Sequence, residues 1–404
     1  MNQLMAMMTL IDAGGIKMFF GMDNQKIEEL GAIYTATEIR QQPKLWKETY
    51  NIVKENKDKI KDFLSRRLKS NTRIILTGAG TSDYVGDTIY LYLAEKLNLR
   101  VEAIATTDLV SNPAEFIEEN VPTILVSYAR SGNSPESVGA YDIFEENVKN
   151  ISQLVITCNK DGELAKKASA SDNNLCILMP ELSNDKSFAM TSSFSCMLLA
   201  SLLVFDIDNL EENKKYVDTV VNQGNLILDN KWEDVKDLVD LNTSRVVYLG
   251  SGILKGLVQE MALKNLELTS GNIVTVCESV LGFRHGPKSI INDDTLVIFM
   301  NSTNKYTNLY DMDLIREIHR DDGKHKLAVI SYEKNEELKN LCNKYIEIDG
   351  EEVPEVYTVF NYMLFGQMFG LFSSLKLGIS PDNPRPDGTV NRVVKGVTIH
   401  KYNK

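Results

Sequence analysis

The sequence contains few of the residues that build metal centres and disulfide frameworks. Its 404 residues include five cysteines and four histidines. The cysteines are odd in number, widely spaced and free of any C-x-x-C pattern, which predicts reduced thiols rather than disulfides. The histidines do not stand at metal-ligand spacing. We therefore expect no metal site, and no feature of the sequence calls for a cofactor.

Long apolar runs and an excess of positive charge are also missing. The longest apolar run, around Met197 to Phe205, is shorter than the roughly 20 residues that a membrane-spanning helix needs. The start of the chain lacks the basic region and cleavage site of a signal peptide, and translation from Met18 or Met22 is an alternative. Lys and Arg total 44 against 56 Asp and Glu, giving a formal charge of −12, which argues against a nucleic-acid partner. We expect a cytoplasmic protein with no membrane partner.

The order of the apolar segments predicts an α/β fold. A hydrophobic content of 43% and a charged content of 25% are typical of a soluble globular protein. The length predicts two domains with extensions. Strands alternating with helices predict parallel sheets with right-handed crossovers. The first group of predicted strands comprises residues 73–77, 101–105, 123–127, 154–158 and 175–179.

The pattern then repeats. The segment Arg73-Ile-Ile-Leu-Thr-Gly-Ala-Gly80 recurs as Arg245-Val-Val-Tyr-Leu-Gly-Ser-Gly252, and two further strands recur at nearly the same offset. Such a repeat predicts two similar domains. We predict four parts: an N-terminal extension and helical arm over 1–70, a phosphate-binding domain over 71–212, a domain with the catalytic groups over 213–378, and a tail over 379–404. The prolines of the tail exclude a helix there. The tail either stays free or folds over the active site.

Two loops of the first domain have the composition of an anion site. Gly78-Ala-Gly-Thr-Ser82 joins the end of a strand to the start of a helix, where unpaired amides attract anions. The loop over 128–137 adds several hydroxyl groups and a glycine, with Pro135 near the first turn of a helix. The matching loop of the second domain, residues 301–306, lacks the Ser-Gly pair. We therefore predict that only the first half binds phosphate.

A third stretch carries candidate acid and base groups. Glu260, Lys264 and Glu267 share one face of a predicted helix, and His285 follows in a turn marked by Gly286 and Pro287. A carboxylate, an ammonium and an imidazole together suit general acid/base catalysis. The alternative is an exposed ion pair worth roughly 0.2–0.5 kcal/mol beside a histidine that only caps a loop. In the catalytic interpretation Glu260 braces Lys264.

Together these motifs resemble the tandem sugar isomerase (SIS) domain proteins, from about Thr35 to the end of the chain. Gly78–Ser82 and Ser131-Gly-Asn-Ser134 look like the two phosphate-binding loops of that family. The segments 260–267, 285–287 and 395–399 resemble catalytic motifs of the isomerase half of glucosamine-6-phosphate synthase. Within the family, the segments 127–137 and 281–289 are most similar to the AgaS branch, described as galactosamine-6-phosphate deaminase/isomerases and as tagatose-6-phosphate ketose/aldose isomerases. The resemblance implies two tandem SIS domains, each a parallel sheet flanked by helices.

The resemblance also implies an activity and roles for single residues. An aminosugar 6-phosphate, galactosamine 6-phosphate, would become tagatose 6-phosphate and ammonia. The first cysteine is Cys158, so the N-terminal cysteine nucleophile of the synthase's glutaminase domain is missing. In the implied mechanism His285 opens the sugar ring, Glu267 moves a proton between C1 and C2, and Lys264 and Lys395 stabilise oxygen charge. The implied phosphate ligands are Thr81, Ser82, Ser131 and Ser134.

Several points stay open at this stage. The spacing from Glu267 to His285 is longer than in the synthase, so Glu278 is an alternative carboxylate. Further candidate site residues are Arg130, Ser127 and Thr191, although 189–191 matches the synthase's sugar-contacting loop poorly. The synthase takes its histidine from a neighbouring subunit, which implies a homodimer or a higher homo-oligomer. The alternatives to the deaminase are a deglycase for fructosamine 6-phosphates and a non-catalytic sugar-phosphate sensor.

Overall fold

The computed structural model describes residues 18–394 and 396–403. It opens with a short antiparallel hairpin, β1 (Met18–Phe19) and β2 (Met22–Asp23). Four helices follow, and Pro43 lies in the first turn of the third, as its position in the sequence predicts. These helices are α1 (Asn24–Glu29), α2 (Ile33–Arg40), α3 (Gln42–Glu55) and α4 (Lys57–Arg67).

The first five-stranded sheet is entirely parallel and has the order β4-β3-β5-β6-β7. The predicted strands are confirmed, with ends shifted by up to three residues. The strands are β3 (Arg73–Thr77), β4 (Arg100–Ala103), β5 (Thr123–Ala129), β6 (Ile151–Thr157) and β7 (Leu175–Leu178). The helices are α5 (Thr81–Leu97), α6 (Thr106–Ser111), α7 (Pro113–Phe116), α8 (Pro135–Asn147), α9 (Glu163–Ser169) and the fully buried α10 (Ser192–Phe205).

Two helices, α11 (Leu210–Asn230) and α12 (Trp232–Val239), lead to a second sheet with the order β9-β8-β10-β11-β12. This sheet is also parallel. Its strands are β8 (Arg245–Leu249), β9 (Val274–Glu278), β10 (Thr295–Met300), β11 (Lys326–Ser331) and β12 (Lys344–Glu347). Its helices are α13 (Ile253–Leu268), α14 (Val280–Phe283), α15 (Lys305–Arg320), α16 (Glu336–Leu341) and α17 (Glu355–Lys376).

The repeat predicted from the sequence extends to backbone geometry. In each half the second strand in the chain lies beside the first on one side and the third strand lies on the other. Gly80 and Gly252, one residue before α5 and α13, have φ values of 56° and 59° with nearly equal ψ. Such angles favour glycine, which has no Cβ to clash with the backbone. The predicted α/β fold of two similar parallel sheets flanked by helices is therefore confirmed.

The halves meet where α5 packs against α13. A Cβ on Gly256 would stand 2.5 Å from the main chain of Asp87, so this glycine allows the two helices to approach closely. Helix α17 is buried along almost its whole length, and the ring of Trp46 packs against Phe360 on it. The N-terminal helices thus lie against a core that both halves share. Because α13 crosses α5, side chains of the second half reach the loops of the first.

The tail runs across the molecule and makes specific contacts. The Asp382 carboxylate accepts from the backbone amides of Tyr34 and Thr35, at 3.0 and 2.8 Å, at the start of α2. Arg385 donates to the carbonyl of Ser270 at 3.0 Å. Further along, Ile399 packs near Gly139 on α8. The tail therefore contacts both halves.

In the part of the chain that the structure describes, no single helix is both long and apolar enough to cross a membrane. One bent pair, Ser192–Phe205 with Ile207–Asn230, meets the criteria of length and composition jointly, across a bend of 92°.

Candidate active site

The turn between β3 and α5 forms the first loop of the site. A Cβ on Gly78 would lie 2.3 Å from the backbone of Ser82, so only glycine fits there. The turn places Thr81 and Ser82 in the first turn of α5, where both are buried. The positive end of a helix dipole and hydroxyl groups meet at this point. Such an arrangement can hold an anion.

The second loop follows the neighbouring strand β5. Gly132 turns the chain with a φ of 66°, and the side-chain amide of Asn159 donates to the Ser131 carbonyl at 2.8 Å. The Ser134 hydroxyl donates to Ser137 Oγ at 2.7 Å. Since β3 and β5 pair directly, both loops border the crevice at which ligands bind in open α/β sheets. Ser131 and Ser134 thus share an edge with Thr81 and Ser82.

Lys264 links this edge to the second half. Its Nζ donates to Thr81 Oγ1 at 2.9 Å and to Glu267 Oε2 at 2.5 Å, and it lies 3.4 Å from Glu260 Oε1. The side chains of Lys264 and Glu260 are fully buried, while that of Glu267 is 26% exposed. The predicted shared helix face is confirmed. The alternative of an exposed Glu260–Lys264 pair is wrong, because α5 covers both residues.

The charges in this cluster depend on burial. Burial raises the pKa of Glu260 to about 8, and the charge of Glu267 adds to this effect, although Lys264 opposes it. Burial alone would lower the pKa of Lys264, but the two carboxyl groups outweigh it and the pKa rises. Lys264 therefore stays cationic at neutral pH beside the more exposed carboxylate of Glu267. Such a pair can move a proton next to a fixed positive charge.

Two further predicted site residues, His285 and Glu278, are not among the contacts of Lys264 that the structure describes. Glu278 ends β9 and pairs with Lys255, in the first turn of α13, at 3.5 Å. Glu267 lies 12 residues further along α13, about 18 Å away at 1.5 Å per residue. The structure thus does not bring Glu278 to Lys264 within one chain.

His285 is exposed in the loop after α14. Its neighbours Arg284 and Lys288 both pair with Glu317 on α15, at 2.7 and 2.6 Å. These ion pairs hold the loop on the α15 side of the second half. In residues 18–394 and 396–403, the side-chain partners of Lys264 are Thr81, Glu267 and Glu260, and His285 of the same chain is not among them. Lys395, the remaining predicted catalytic residue, lies outside the described residues.

Three further candidates lie near the first sheet. Ser127, at the end of β5, has a buried hydroxyl without a partner, and Arg130 has one buried nitrogen without a partner. Thr191 is fully buried and its amide donates to Asp185 Oδ2 at 2.8 Å. Thr191 thus helps to fix the start of α10.

Sequence reasoning missed two buried acids beside this site. The Asp185 carboxylate accepts from the amides of three consecutive residues, Thr191, Ser192 and Ser193. The Glu38 carboxyl accepts from the amides of Lys186 and Ser187. Burial raises the pKa of Glu38 to about 8, and the charge of Asp185 adds to this effect. The one available signal was the Thr-Ser-Ser run before an apolar helix, a typical N-terminal pattern.

The corresponding crevice of the second half is filled by its own side chains. The Glu355 carboxylate accepts from the Ser302 hydroxyl and from the amides of Thr303 and Asn304, at 2.9 and 3.3 Å for the amides. Asp311 accepts from the Ser302 amide at 2.9 Å and from the Ser251 hydroxyl at 3.2 Å. Acidic oxygens occupy the place where an anion would bind. Within residues 18–394 and 396–403, no group of three or more His, Cys, Asp and Glu side chains could hold a metal ion.

Comparison with known proteins agrees with this geometry. The SIS domain family matches residues 67–206. The D-galactosamine-6-phosphate deaminase AgaS of a Shewanella species is 40% identical over 384 residues, which cover 94% of this chain and 95% of that protein.

Two solved structures are also similar over nearly their whole length. One is a candidate tagatose-6-phosphate ketose/aldose isomerase from Clostridium novyi, at 45% identity and a TM-score of 0.94, covering 96% of this chain and 100% of that one. The other is the tagatose-6-phosphate ketose/aldose isomerase of Escherichia coli, at 36% identity and a TM-score of 0.84, covering 92% and 97%. The chain belongs to the AgaS family of SIS-domain proteins.

Proposed function

We propose that this protein converts galactosamine 6-phosphate and water to tagatose 6-phosphate and ammonia. The observation that carries the proposal is the 2.9 Å contact between Lys264 Nζ and Thr81 Oγ1. This contact supports the proposal, because it joins the helix that carries Lys264 and Glu267 to the turn that we propose as a phosphate loop of the first half. Family membership supplies the substrate class, since similar proteins are described as deaminases of this aminosugar phosphate.

In this mechanism the first half binds the phosphate and the second half moves the proton. The hydroxyls of Ser82, Ser131 and Ser134, with Thr81 and nearby amides, hold the 6-phosphate. Binding at this remote group orients the carbons that react. The net charge of −12 repels anions at long range, so these local donors supply the attraction.

Chemistry begins once the ring is open. The Glu267 carboxylate removes the proton from C2 while O1 takes up a proton, giving an enolamine. Glu267 then returns its proton to C1 and the nitrogen loses one, giving an imine at C2. Lys264 stabilises the negative charge that develops on O1. Water then adds to C2, the C–N bond breaks, and ammonia leaves with the ketose phosphate. Glu260 lies one helical turn before Lys264 and faces it without contacting solvent.

Ring opening requires a group that one chain does not bring to the cluster. We assign it to His285 of a second copy, since His285 is exposed and stands apart from its own Lys264. A homodimer is the smallest assembly that supplies it. Lys395 keeps its proposed role in stabilising oxygen charge. We place the reaction in the cytoplasm, with the sugar phosphate as the small-molecule partner.

Mixing two inactive variants tests the shared site. His285→Ala and Glu267→Gln remove groups that, in the proposal, meet across the interface. Random exchange of subunits should restore about a quarter of the wild-type activity, because half of the dimers are mixed and each has one intact site. Mixed proteins that stay inactive after confirmed subunit exchange would contradict a histidine from the second copy.

The substrate assignment is tested by assaying hexosamine 6-phosphates for ammonia and ketose 6-phosphate. Galactosamine 6-phosphate should yield both products in equal amounts. Release of an amino acid from fructosamine 6-phosphates, without ammonia from any hexosamine phosphate, would replace the deaminase by a deglycase. Binding without any turnover would indicate a sensor.

A further inference from the structure

Arg130, in the loop after β5, is a buried cation whose hydrogen bonding is incomplete. Arg130 is only 6% exposed. Nη2 donates to the main-chain carbonyl of Arg392 at 2.6 Å, whereas Nη1 is buried without a partner. A buried guanidinium with an unpaired nitrogen is costly unless a ligand completes it.

The neighbouring carboxyl groups do not complete Arg130. Asp185 and Glu38 act on it only at a distance. Both groups already accept several amide hydrogen bonds, Asp185 at the start of α10 and Glu38 from Lys186 and Ser187. Arg130 immediately precedes Ser131, the first hydroxyl of the second phosphate loop. An anion bound in that crevice can therefore accept a hydrogen bond from the unpaired Nη1 of Arg130.

The other side of Arg130 holds the tail. Arg392 accepts from Arg130 through its carbonyl, and its own guanidinium donates to the carbonyl of Asp185. The tail is thereby tied to the loop after β5 and to the loop before α10. Two other polar anchors of the tail, at Asp382 and Arg385, bind the start of α2 and Ser270, just after α13. The Arg392 anchor is the one beside the phosphate loops, three residues before Lys395.

We propose that Arg130 is a positioning residue that couples phosphate binding to the placement of the tail, with one nitrogen on the Arg392 carbonyl and the other on the phosphate. The inference rests on the phosphate site of the proposed function. A purely structural clamp would need only the contact to Arg392. The unpaired Nη1 distinguishes a coupling residue from such a clamp.

Hydrogen exchange of tail residues 387–403, measured with and without inorganic phosphate, tests the coupling. In the wild type, phosphate should slow exchange in this segment. In Arg130→Gln, exchange without phosphate should be about tenfold faster, and phosphate should no longer slow it. Arg130→Lys, which keeps the charge and one donor, should recover part of the response. Arg385→Gln is the matched control, since it loosens only the Ser270 anchor and should keep the phosphate response.

Kinetics separate coupling from phosphate affinity. Arg130→Gln should lower kcat as well as raise KM, whereas Ser134→Ala should mainly raise KM. Should Arg130→Gln fail to fold, Arg130→Lys carries the test, because it removes the second donor nitrogen, and phosphate should slow tail exchange less in it than in the wild type.

Wild-type tail exchange in Arg130→Gln, or a full phosphate response kept in Arg130→Gln or Arg130→Lys, would overturn the inference. These outcomes are independent of turnover. Absence of ammonia release by the wild type, together with intact coupling, would reject the proposed reaction and leave the coupling in place.

Discussion

The two halves share one backbone plan and differ in what fills their crevices. Gly80 and Gly252 begin corresponding helices with the same dihedral angles. After this point the first half presents Thr81 and Ser82, and the loop after β5 carries Arg130, whose Nη1 is buried without a partner. In the second half, Glu355 and Asp311 accept the hydrogen bonds that a ligand would otherwise accept.

In the proposed function, this difference divides phosphate binding and proton transfer between the two copies of the fold. The second half has closed its crevice with its own carboxylates, and its helix α13 instead delivers Lys264 and Glu267 to the first half. Gly256 allows that delivery, because it lets α13 lie close against α5. One crevice thus gains chemistry from both halves.

The largest expected effect is the difference in rate between a Glu267 variant and a variant of its counterpart in the first half. Glu95 occupies the matching position of α5, 172 residues earlier, and is exposed. Glu267→Gln should lower ammonia release by about 10²–10⁴-fold, since it removes the group that transfers the proton in the proposed mechanism. Glu95→Gln should change the rate less than twofold. Equal losses in both variants would show that the halves do not divide the work in this way.

A smaller effect is expected on substrate affinity when a hydroxyl is removed from one crevice or from the other. Ser134→Ala should weaken sugar-phosphate binding by about tenfold, as expected for one hydrogen bond to a charged group. Ser302→Ala alters the equivalent loop of the second half, where the hydroxyl serves Glu355, and should leave affinity unchanged. Calorimetric titration of both variants with the substrate gives the comparison. A loss of affinity in Ser302→Ala would mean that the second crevice also takes the phosphate.

Removing the internal carboxylate should reopen the second crevice. Glu355→Ala removes the acceptor of the Ser302 hydroxyl and the Thr303 amide, whereas the Asn304 amide keeps Ser302 Oγ, and it should lower stability by about 1–3 kcal/mol. Inorganic sulfate or phosphate should restore part of this loss in a concentration-dependent way. Thermal unfolding at increasing sulfate measures the effect, with the exposed Glu352→Ala as the control. A loss that no anion reverses would argue against a closed anion site.

The smallest expected effect concerns the pH dependence of stability and two buried acids, Glu38 near the first crevice and Asp311 in the second. Burial raises the pKa of Glu38 to about 8 and that of Asp311 to about 6. The folded chain therefore keeps protons that the unfolded chain releases, and stability falls as pH rises towards each value. Glu38→Gln should reduce the loss of Tm between pH 6 and pH 9 by about 3–5 °C.

Asp311 provides the contrast, because its smaller shift confines its contribution to below about pH 6. Asp311→Asn should therefore leave the loss between pH 6 and pH 9 unchanged. An identical pH profile of Tm in Glu38→Gln and the wild type would show that Glu38 is not protonated in the folded chain.

The sequence was sufficient for the parts of the structure that depend on local patterns. Alternating apolar segments predicted both sheets, and helical spacing placed Glu260, Lys264 and Glu267 on one face. Contacts between distant segments carry no such signal. The hydrogen bond from Arg130 to Arg392 spans 262 residues, and no periodicity or local motif encodes it.

The burial of individual side chains was the second feature that the sequence did not predict. A salt bridge of the i, i+4 kind is usually exposed and weak, and it is the packing of α5 and α17 on α13 that makes Glu260 and Lys264 inaccessible. Likewise, Glu278 and His285 lie close to Glu267 in the sequence. Yet the strand β9 returns Glu278 to the start of α13, and the loop that carries His285 is held on α15. Both placements follow from the parallel topology rather than from spacing.

The division of work between the halves is tested most directly by following exchange of the C2 hydrogen of galactosamine 6-phosphate in D₂O while measuring binding. Glu267→Gln should bind the substrate with nearly wild-type affinity and show no exchange. Ser134→Ala should bind about tenfold more weakly and exchange at the wild-type rate once saturated. Exchange that persists in Glu267→Gln, or exchange at saturation lost in Ser134→Ala, would contradict the account.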